Sequence, residues 1–242
     1  MPDGALVGIK ACVFDAYGTL FDVNAAARAC GDILGDAAEQ VGSLWRDKQL
    51  QYTWLRAAQD RHADFWQVTG DALDFALETF GLARTTDDAD TGGGAGAGLR
   101  DRLMALYLAL DAYPEVAEVL ARLRATGLVT AILSNGTPKM LAAAVAAARL
   151  EATFDAILSV EEVGVFKPAR RVYQLTVDRL GCPADTIAFV SSNAWDVHAA
   201  SACGMQAVWC NRRAAIRERL PGAPKCEITT LRELPPLLGI GS

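Results

Sequence analysis

The chain is predicted to be an α/β protein, with a Rossmann-like parallel sheet core interrupted by an inserted α-helical cap domain. Three observations predict this class. The apolar run Ile9 to Val13 has strand length and ends in the turn-rich segment Asp15-Ala16-Tyr17-Gly18-Thr19. A stretch with only helical patterning comes next, from about residue 24 to residue 110. From Tyr113 onward, strand-length apolar runs alternate with helical ones, the pattern of a parallel sheet wound by right-handed crossovers. The implied division is a core of residues 1–22 and 111–242 with a cap of residues 23–110.

The first strand delivers Asp15 to its carboxyl end, where open α/β sheets bind their ligands. Gly18 permits the tight turn behind it, and Thr19 has a hydroxyl to give to the carboxylate or to cap the next turn of chain. The insertion emerges directly after this turn, so it should lie over the ligand edge of the sheet. Its helical pattern breaks around Gly70, around Gly81 and over residues 85–98, TTDDADTGGGAGAG. That stretch has little to bury and reads as a mobile linker; no strand precedes it and no Lys-Ser/Thr pair ends it, so it is not a phosphate-binding loop. Beyond the insertion, strands are expected near residues 128–133, 156–159, 186–190 and 206–209. Helices are expected near 115–126, 138–148, 170–180, 194–203 and 214–220. Pro138 and Pro168 suit the first turns of their helices, and Gly127, Gly181 and Gly204 suit helix ends.

Composition narrows the function classes. At 242 residues, 52% apolar and 21% charged, the chain can bury a sizeable core and carry an insertion. It has no apolar run of the roughly 18 residues that span a bilayer, and residues 1–10 lack the basic start and apolar centre of a signal peptide. The expected compartment is the cytoplasm, with Cys12, Cys30, Cys182, Cys203, Cys210 and Cys226 as mostly buried free thiols. A net charge of −6 with no basic run excludes nucleic acid and anionic membrane as expected partners. An anionic substrate would need a few locally placed cations. His62 and His198 fall in no metal or triad spacing and are expected to pack or to lie at the surface, although His198 stands two residues past Asp196.

The strand ends carry the chemistry. Besides Asp15, they present Ser134-Asn135-Gly136, then Phe166-Lys167-Pro168, then Ser191-Ser192-Asn193-Ala194-Trp195-Asp196. Taken singly, Ser134 and Asn135 are ordinary turn formers, Lys167 a solvated loop charge and Asp196 a first-turn residue favoured by the helix dipole. Together they set a nucleophilic carboxylate, hydroxyl and amide donors, one ammonium and a second carboxylate along one edge.

The segments FDAYGTLFD, LSNG, FKP and FVSSNAWD resemble the four motifs of the haloacid dehalogenase superfamily. Within it, the chain is similar to the L-2-haloacid dehalogenase branch, whose cap helix the segment LWRDKQLQYTWLR, residues 44–56, resembles. The likeness is nearly full length, with residues 91–98 as the clearest departure. It implies hydrolysis of short L-2-haloalkanoic acids to D-2-hydroxy acids through an aspartyl ester, with inversion at C2 and with neither metal nor cofactor. Asp15 would be the nucleophile, and Arg46 and Asn135 would receive the halide. Ser134 and the backbone N–H groups of Ala16 and Tyr17 would hold the substrate carboxylate. Lys167 would keep Asp15 ionised, while Asp196, with Asn193 and Ser191, would activate water; Thr19 and Tyr173 would support them. Tyr17, Leu50, Phe65 and Trp195 would wall the pocket. The implied partners are the 2-haloacid, the halide product and a second copy of the chain in a homodimer.

Two alternatives stand beside this reading. One is a Mg-dependent phosphatase or phosphonate hydrolase of the same fold, against which Tyr17 replaces the usual second Asp and Asn193 stands at a usual metal position. Lys48 is the one candidate for the cap lysine that a phosphonate hydrolase needs. The other alternative is a non-catalytic binding module, which would have no chemical need for Asp15, Lys167 and Asp196 together.

Overall fold

The computed structural model of the protein describes residues 5–82 and 95–241. Among them, β1 (Ala11–Phe14), β2 (Val129–Ser134), β3 (Ala156–Ser159), β4 (Ile187–Ser191), β5 (Gln206–Cys210) and β6 (Cys226–Ile228) form one all-parallel sheet in the order β3-β2-β1-β4-β5-β6. The central strands are apolar and buried almost from end to end, as strands covered on both faces must be. Strand order reverses at β1: the chain winds outward through β2 and β3, then crosses back to β4 on the other side. A crevice therefore opens beyond the carboxyl end of β1. Phe14 pairs with Ile132 on one side and Val190 on the other, so the next residues, Asp15 and Ser191, lie side by side.

Among the described residues, five α-helices lie between β1 and the rest of the core: α1 (Ala25–Ala29), α2 (Gly31–Leu34), α3 (Ala38–Ala58), α4 (Phe65–Thr79) and α5 (Ala95–Leu108). The helix α3 buries Val41, Trp45, Gln49 and Thr53, one stripe at four-residue spacing, and lays it on α4, where Trp45 Nε1 donates to the Thr69 carbonyl at 2.8 Å. The Asp64 carboxylate caps α4 by accepting from the Gln67 N–H at 2.8 Å. Beyond the insertion come α6 (Val116–Ala125), α7 (Pro138–Ala147), α8 (Arg170–Leu180), α9 (Ala194–Ala202) and α10 (Leu234–Leu237). Thr137 caps α7 with Pro138 in its first turn, and Gly181 ends α8 at φ 63°.

Several expectations need correction. Residues 214–220 form no helix: Ala214 sits at φ 50°, and the Asn211 side chain brackets the turn by bonding both the N–H and the carbonyl of Ala215. The apolar members of that segment find no surface to cover, and Ile216 stays 92% exposed. Gly70 does not break its helix; α4 runs through it, and a Cβ there would press on Arg100. Pro168 lies before the α8 N-cap Ala169 rather than in the first turn. The sixth strand, β6, has no counterpart among the expected strands, because three residues are too few to carry a period. Residues 85–94 of the expected linker lie outside the described residues, while Ala95 opens α5. Cys12, Cys30, Cys182 and Cys210 are buried free thiols, Cys203 is partly exposed and Cys226 is buried in β6. No helix among the described residues is long and apolar enough to cross a membrane.

Gly222, at φ 79°, lets the connection between β5 and β6 turn against α9; a Cβ there would run into the His198 carbonyl oxygen and lie 3.0 Å from the Ala202 nitrogen. Gly222→Ala is expected to lower the unfolding free energy by about 2–3 kcal/mol through left-handed strain and this clash, measured by urea denaturation.

Candidate active site

Asp15 directly succeeds β1, with its N–H bonded to the Val190 carbonyl at 3.0 Å, and is 6% exposed. Its Oδ1 accepts from Lys167 Nζ at 3.1 Å. Its Oδ2 accepts from Thr19 Oγ1 at 3.0 Å, Ser191 Oγ at 3.3 Å and Asn193 Nδ2 at 2.7 Å. These donors are themselves held: Thr19 Oγ1 accepts from the Ser192 N–H at 2.8 Å, and Ser191 Oγ from the Asn193 N–H at 3.1 Å. The tight turn expected at Gly18 is present at φ 91°, which brings Thr19 back over the carboxylate.

Lys167 is 1% exposed and bridges two carboxylates, since Nζ also donates to Asp196 Oδ2 at 2.8 Å. Tyr173 donates its phenol proton to Asp196 Oδ1 at 2.6 Å. Burial alone would pull the Lys167 ammonium down, but Asp15 and Asp196 outweigh it and hold it above the usual lysine range, so it stays charged. Asp196 is pushed up to about 6, chiefly by burial, with Lys167 opposing the shift and the negative Asp15 adding to it. Burial, then Asp196, keeps the Tyr173 phenol well above its ordinary range and hence a donor.

Ser134 and Asn135, at the end of β2, are buried and tied to backbone. Ser134 Oγ accepts from the Gly136 N–H at 3.1 Å, and Asn135 Oδ1 accepts from the Lys167 N–H at 3.0 Å. The Ala16 carbonyl closes the turn by accepting from Leu20 and Phe21. From α3, Arg46 Nη2 lies 3.4 Å from both the Tyr17 carbonyl and Asn193 Oδ1. The structure thus brings Asp15, Thr19, Lys167, Tyr173, Ser191, Asn193 and Asp196 into one network, with Arg46 joined to it from the helical insertion.

The aromatic residues fall into two groups. Tyr17 stacks on Tyr107 at 5.3 Å between ring centroids and tilts against Phe65 at 5.9 Å. Trp195 meets Trp54 edge-on at 5.6 Å, and these two line an apolar slot of about 370 Å³ with Phe166 and Pro168, the neighbours of Lys167. Leu50 is half-buried on α3. A second cavity, of about 690 Å³, lies between insertion and core, with Gly18, Arg46, Asn193 and Arg212 in its lining. His62 bonds Glu161 and packs on Phe166, while His198 is buried with Nδ1 against the Leu220 carbonyl. Lys48 bonds Gln51 and lies over the Phe75 ring.

Residues absent from the expected set also reach the site. Arg212 donates to the Thr19 carbonyl at 3.0 Å, pairs with the buried Glu115 at 2.6 Å and lies over the Tyr113 ring. Nothing in its sequence context marks it. Gln49 accepts from Arg46 and bonds Tyr107 and Thr69. A signal for it exists in the sequence: it falls three residues after Arg46 and four after Trp45.

A hard divalent cation does not fit beside Asp15. Asn193 turns its NH₂ toward Asp15 Oδ2 and the Tyr17 carbonyl, and Arg46 also donates to that carbonyl, so the oxygens a cation needs already accept hydrogen bonds. Among the described residues no group of three or more His, Cys, Asp or Glu is placed to hold a metal ion.

Known proteins are similar to most of this chain. A family model described as haloacid dehalogenase-like hydrolase matches residues 9–204. The chain is 45% identical over 230 residues to (S)-2-haloacid dehalogenase 1 of Pseudomonas sp. (strain CBS-3), covering 95% of this chain and 96% of that one. It is 44% identical to (S)-2-haloacid dehalogenase 4A of Burkholderia cepacia, covering 95% of each. The structure of L-2-haloacid dehalogenase from Xanthobacter autotrophicus with chloropropionic acid covalently bound superposes with a TM-score of 0.83 at 36% identity, covering 97% of this chain and 100% of that one.

An aspartate whose folded-state pKa is raised contributes stability at low pH and loses it as pH rises through the folded value. Relative to Asp196→Asn, the wild type is therefore expected to lose unfolding free energy as pH rises from 3.8 through about 6, a difference in slope that urea denaturation across this range would read.

Proposed function

This chain belongs to the haloacid dehalogenase-like hydrolases, in the branch of the (S)-2-haloacid dehalogenases, and on that basis we propose that it converts short L-2-haloalkanoic acids to D-2-hydroxy acids through an ester on Asp15. The observation that carries the reading is the Asp15 carboxylate at the switch point, oriented by Lys167, Thr19, Ser191 and Asn193. It is supported by the Xanthobacter autotrophicus relative, which holds chloropropionic acid covalently. In this reading residues 23–110 form a cap domain on a core of residues 1–22 and 111–242.

Oδ2 is taken by three donors, so Oδ1 is the oxygen with lone pairs free to attack. It displaces halide in line from C2; the C–O bond forms as the C–X bond breaks, and the halide leaves with the bonding pair, inverting the centre. Halide needs no proton to leave, so this chemistry has no use for a second acid at Tyr17. Arg46 and Asn135 receive the departing charge, Arg46 through the several N–H donors of its planar guanidinium. Ser134 and the backbone N–H groups of Ala16 and Tyr17 hold the substrate carboxylate, while Tyr17, Leu50, Phe65 and Trp195 keep bulk water out. Asp196, positioned by Tyr173 and Lys167, then takes a proton from water as the water attacks the ester carbonyl. The Asp15 Cγ–Oδ1 bond breaks, Asp196 returns the proton to the departing alkoxide and the Asp15 carboxylate is restored with an oxygen from water, so the C2–O bond is retained and only the first step touches the stereocentre. Exposed Trp54 and Leu55 on α3 and Phe75 on α4 provide an apolar face on which two copies would pair.

The deciding experiment is halide release from L- and D-2-chloropropionate with excess chelator. Chelator-resistant, L-selective release that falls at least about a thousandfold in Asp15→Asn is expected. Release of phosphate from an ester with Mg²⁺, without halide release, would replace this reading by the phosphatase alternative. Because Asp196 must be ionised to act as base, ester hydrolysis is expected to fail as pH drops through about 6. Rapid quenching at a pH about one unit below that value should then trap the substrate on Asp15, seen as a mass increment on its peptide.

A further inference from the structure

We propose that Gln49 is a positioning residue that holds the Arg46 guanidinium at the reaction centre without neutralising it, an assignment that rests on the halide-binding role of Arg46 proposed above. The contacts of Arg46 with the core are long, at 3.4 Å to both the Tyr17 carbonyl and Asn193 Oδ1. Its short bond is Nη1 to Gln49 Oε1 at 2.7 Å. All these partners are neutral.

Hydrogen-bond direction fixes the amide. A guanidinium has only donors, so Gln49 must turn its oxygen to Arg46. Its Nε2 then faces Thr69 Oγ1 at 2.7 Å and the Tyr107 hydroxyl at 3.1 Å. Thr69 has given its own proton to the Phe65 carbonyl at 2.6 Å and so accepts from Gln49. Flipping the amide would set an NH₂ against a guanidinium and turn its oxygen toward Thr69 Oγ1, whose proton is already given; in the orientation present, Oε1 also accepts from the Tyr107 hydroxyl at 3.2 Å. Gln49 is 1% exposed on the stripe of Val41, Trp45 and Thr53, where a buried amide is costly unless satisfied and packing alone does not call for one. The relay ends on residues that shape the pocket: Phe65 through Thr69, and Tyr17 through the stacked ring of Tyr107.

The chemistry explains an amide rather than a carboxylate. The departing halide carries away the electron pair of the C–X bond and needs full positive charge in reach. A glutamate at position 49 would orient Arg46 as firmly but would cancel its charge. Glutamine orients and leaves the charge free.

The test uses the full chain and reads halide binding apart from turnover, by chloride NMR line broadening, alongside kinetics on L-2-chloropropionate and L-2-bromopropionate. Gln49→Glu preserves shape; Gln49→Met, apolar and of similar length, is the second variant, and a thermal melt accompanies each. In Gln49→Glu, chloride affinity and kcat are each expected to fall about tenfold or more, because the carboxylate keeps the bond to Arg46 but cancels the charge that the halide needs. KM should stay within about threefold, and the loss should be larger for the chloride leaving group. Added to Arg46→Ala, either substitution should cost nothing further. Wild-type chloride binding in Gln49→Glu, an undiminished loss in the Arg46→Ala background, or a wild type that binds no chloride would each overturn the proposal. Chloride binding without any halide release would retire the dehalogenase reading and leave the positioning role standing.

Discussion

One buried ammonium between two buried carboxylates is the constraint on which the rest of the site depends. Lys167 reaches Asp15 at 3.1 Å and Asp196 at 2.8 Å, and all three side chains are almost wholly removed from water. Removing one member would strand uncompensated charge, a loss of several kcal/mol, so the three elements that carry them are bound to one geometry. Those elements are the turn after β1, the loop after β3 and the first turn of α9. One lysine cannot neutralise two carboxylates. The surplus negative charge is spread over neutral donors from Thr19, Ser191, Asn193 and Tyr173, and that need accounts for the density of hydroxyl and amide groups at this edge. Asn135 completes the arrangement from β2 by holding the Lys167 N–H.

The two sides of the site treat charge in opposite ways. On the core side, opposite charges meet directly, which keeps Lys167 protonated, while burial pushes Asp196 up to about 6 against the pull of Lys167. On the side of the helical insertion, Arg46 meets amides, a carbonyl and the Tyr107 phenol, all neutral, so its positive charge is oriented without being cancelled. In the proposed reaction, attack by a carboxylate and departure of a halide place these two demands on one crevice. Asn193 joins the sides, donating to Asp15 and accepting from Arg46.

Aromatic packing sets how insertion and core meet. Tyr17, two residues after Asp15, is held between Tyr107 and Phe65 of the insertion and against Gly136 of the core, where a Cβ would lie 2.8 Å from its ring. Gly136 is thus a packing requirement of the ring that closes the site. The pair Trp54–Trp195 seals the opposite flank beside Phe166.

The order of amino acids was enough to specify five of the six described strands, the place of Asp15 beyond β1 and most of the residues that gather with it on the core side. Those residues lie in contiguous motifs at strand ends, and a parallel sheet brings strand ends to one edge whatever the details of packing. Tyr107 and Arg212 stayed hidden, because their contacts lie 58 and 193 residues away in the chain, and Gln49 showed only its spacing from Arg46 and not the Thr69 and Tyr107 partners that fix its amide. Residues 214–220 misled: helical periodicity there lost to the turn bracketed by Asn211, because amphipathic patterning makes a helix only where a surface exists to receive it. Which amide faces a guanidinium, and which carboxylate stays protonated longest, are settled by the folded arrangement, since both depend on burial and on hydrogen-bond direction between elements that only the fold brings together.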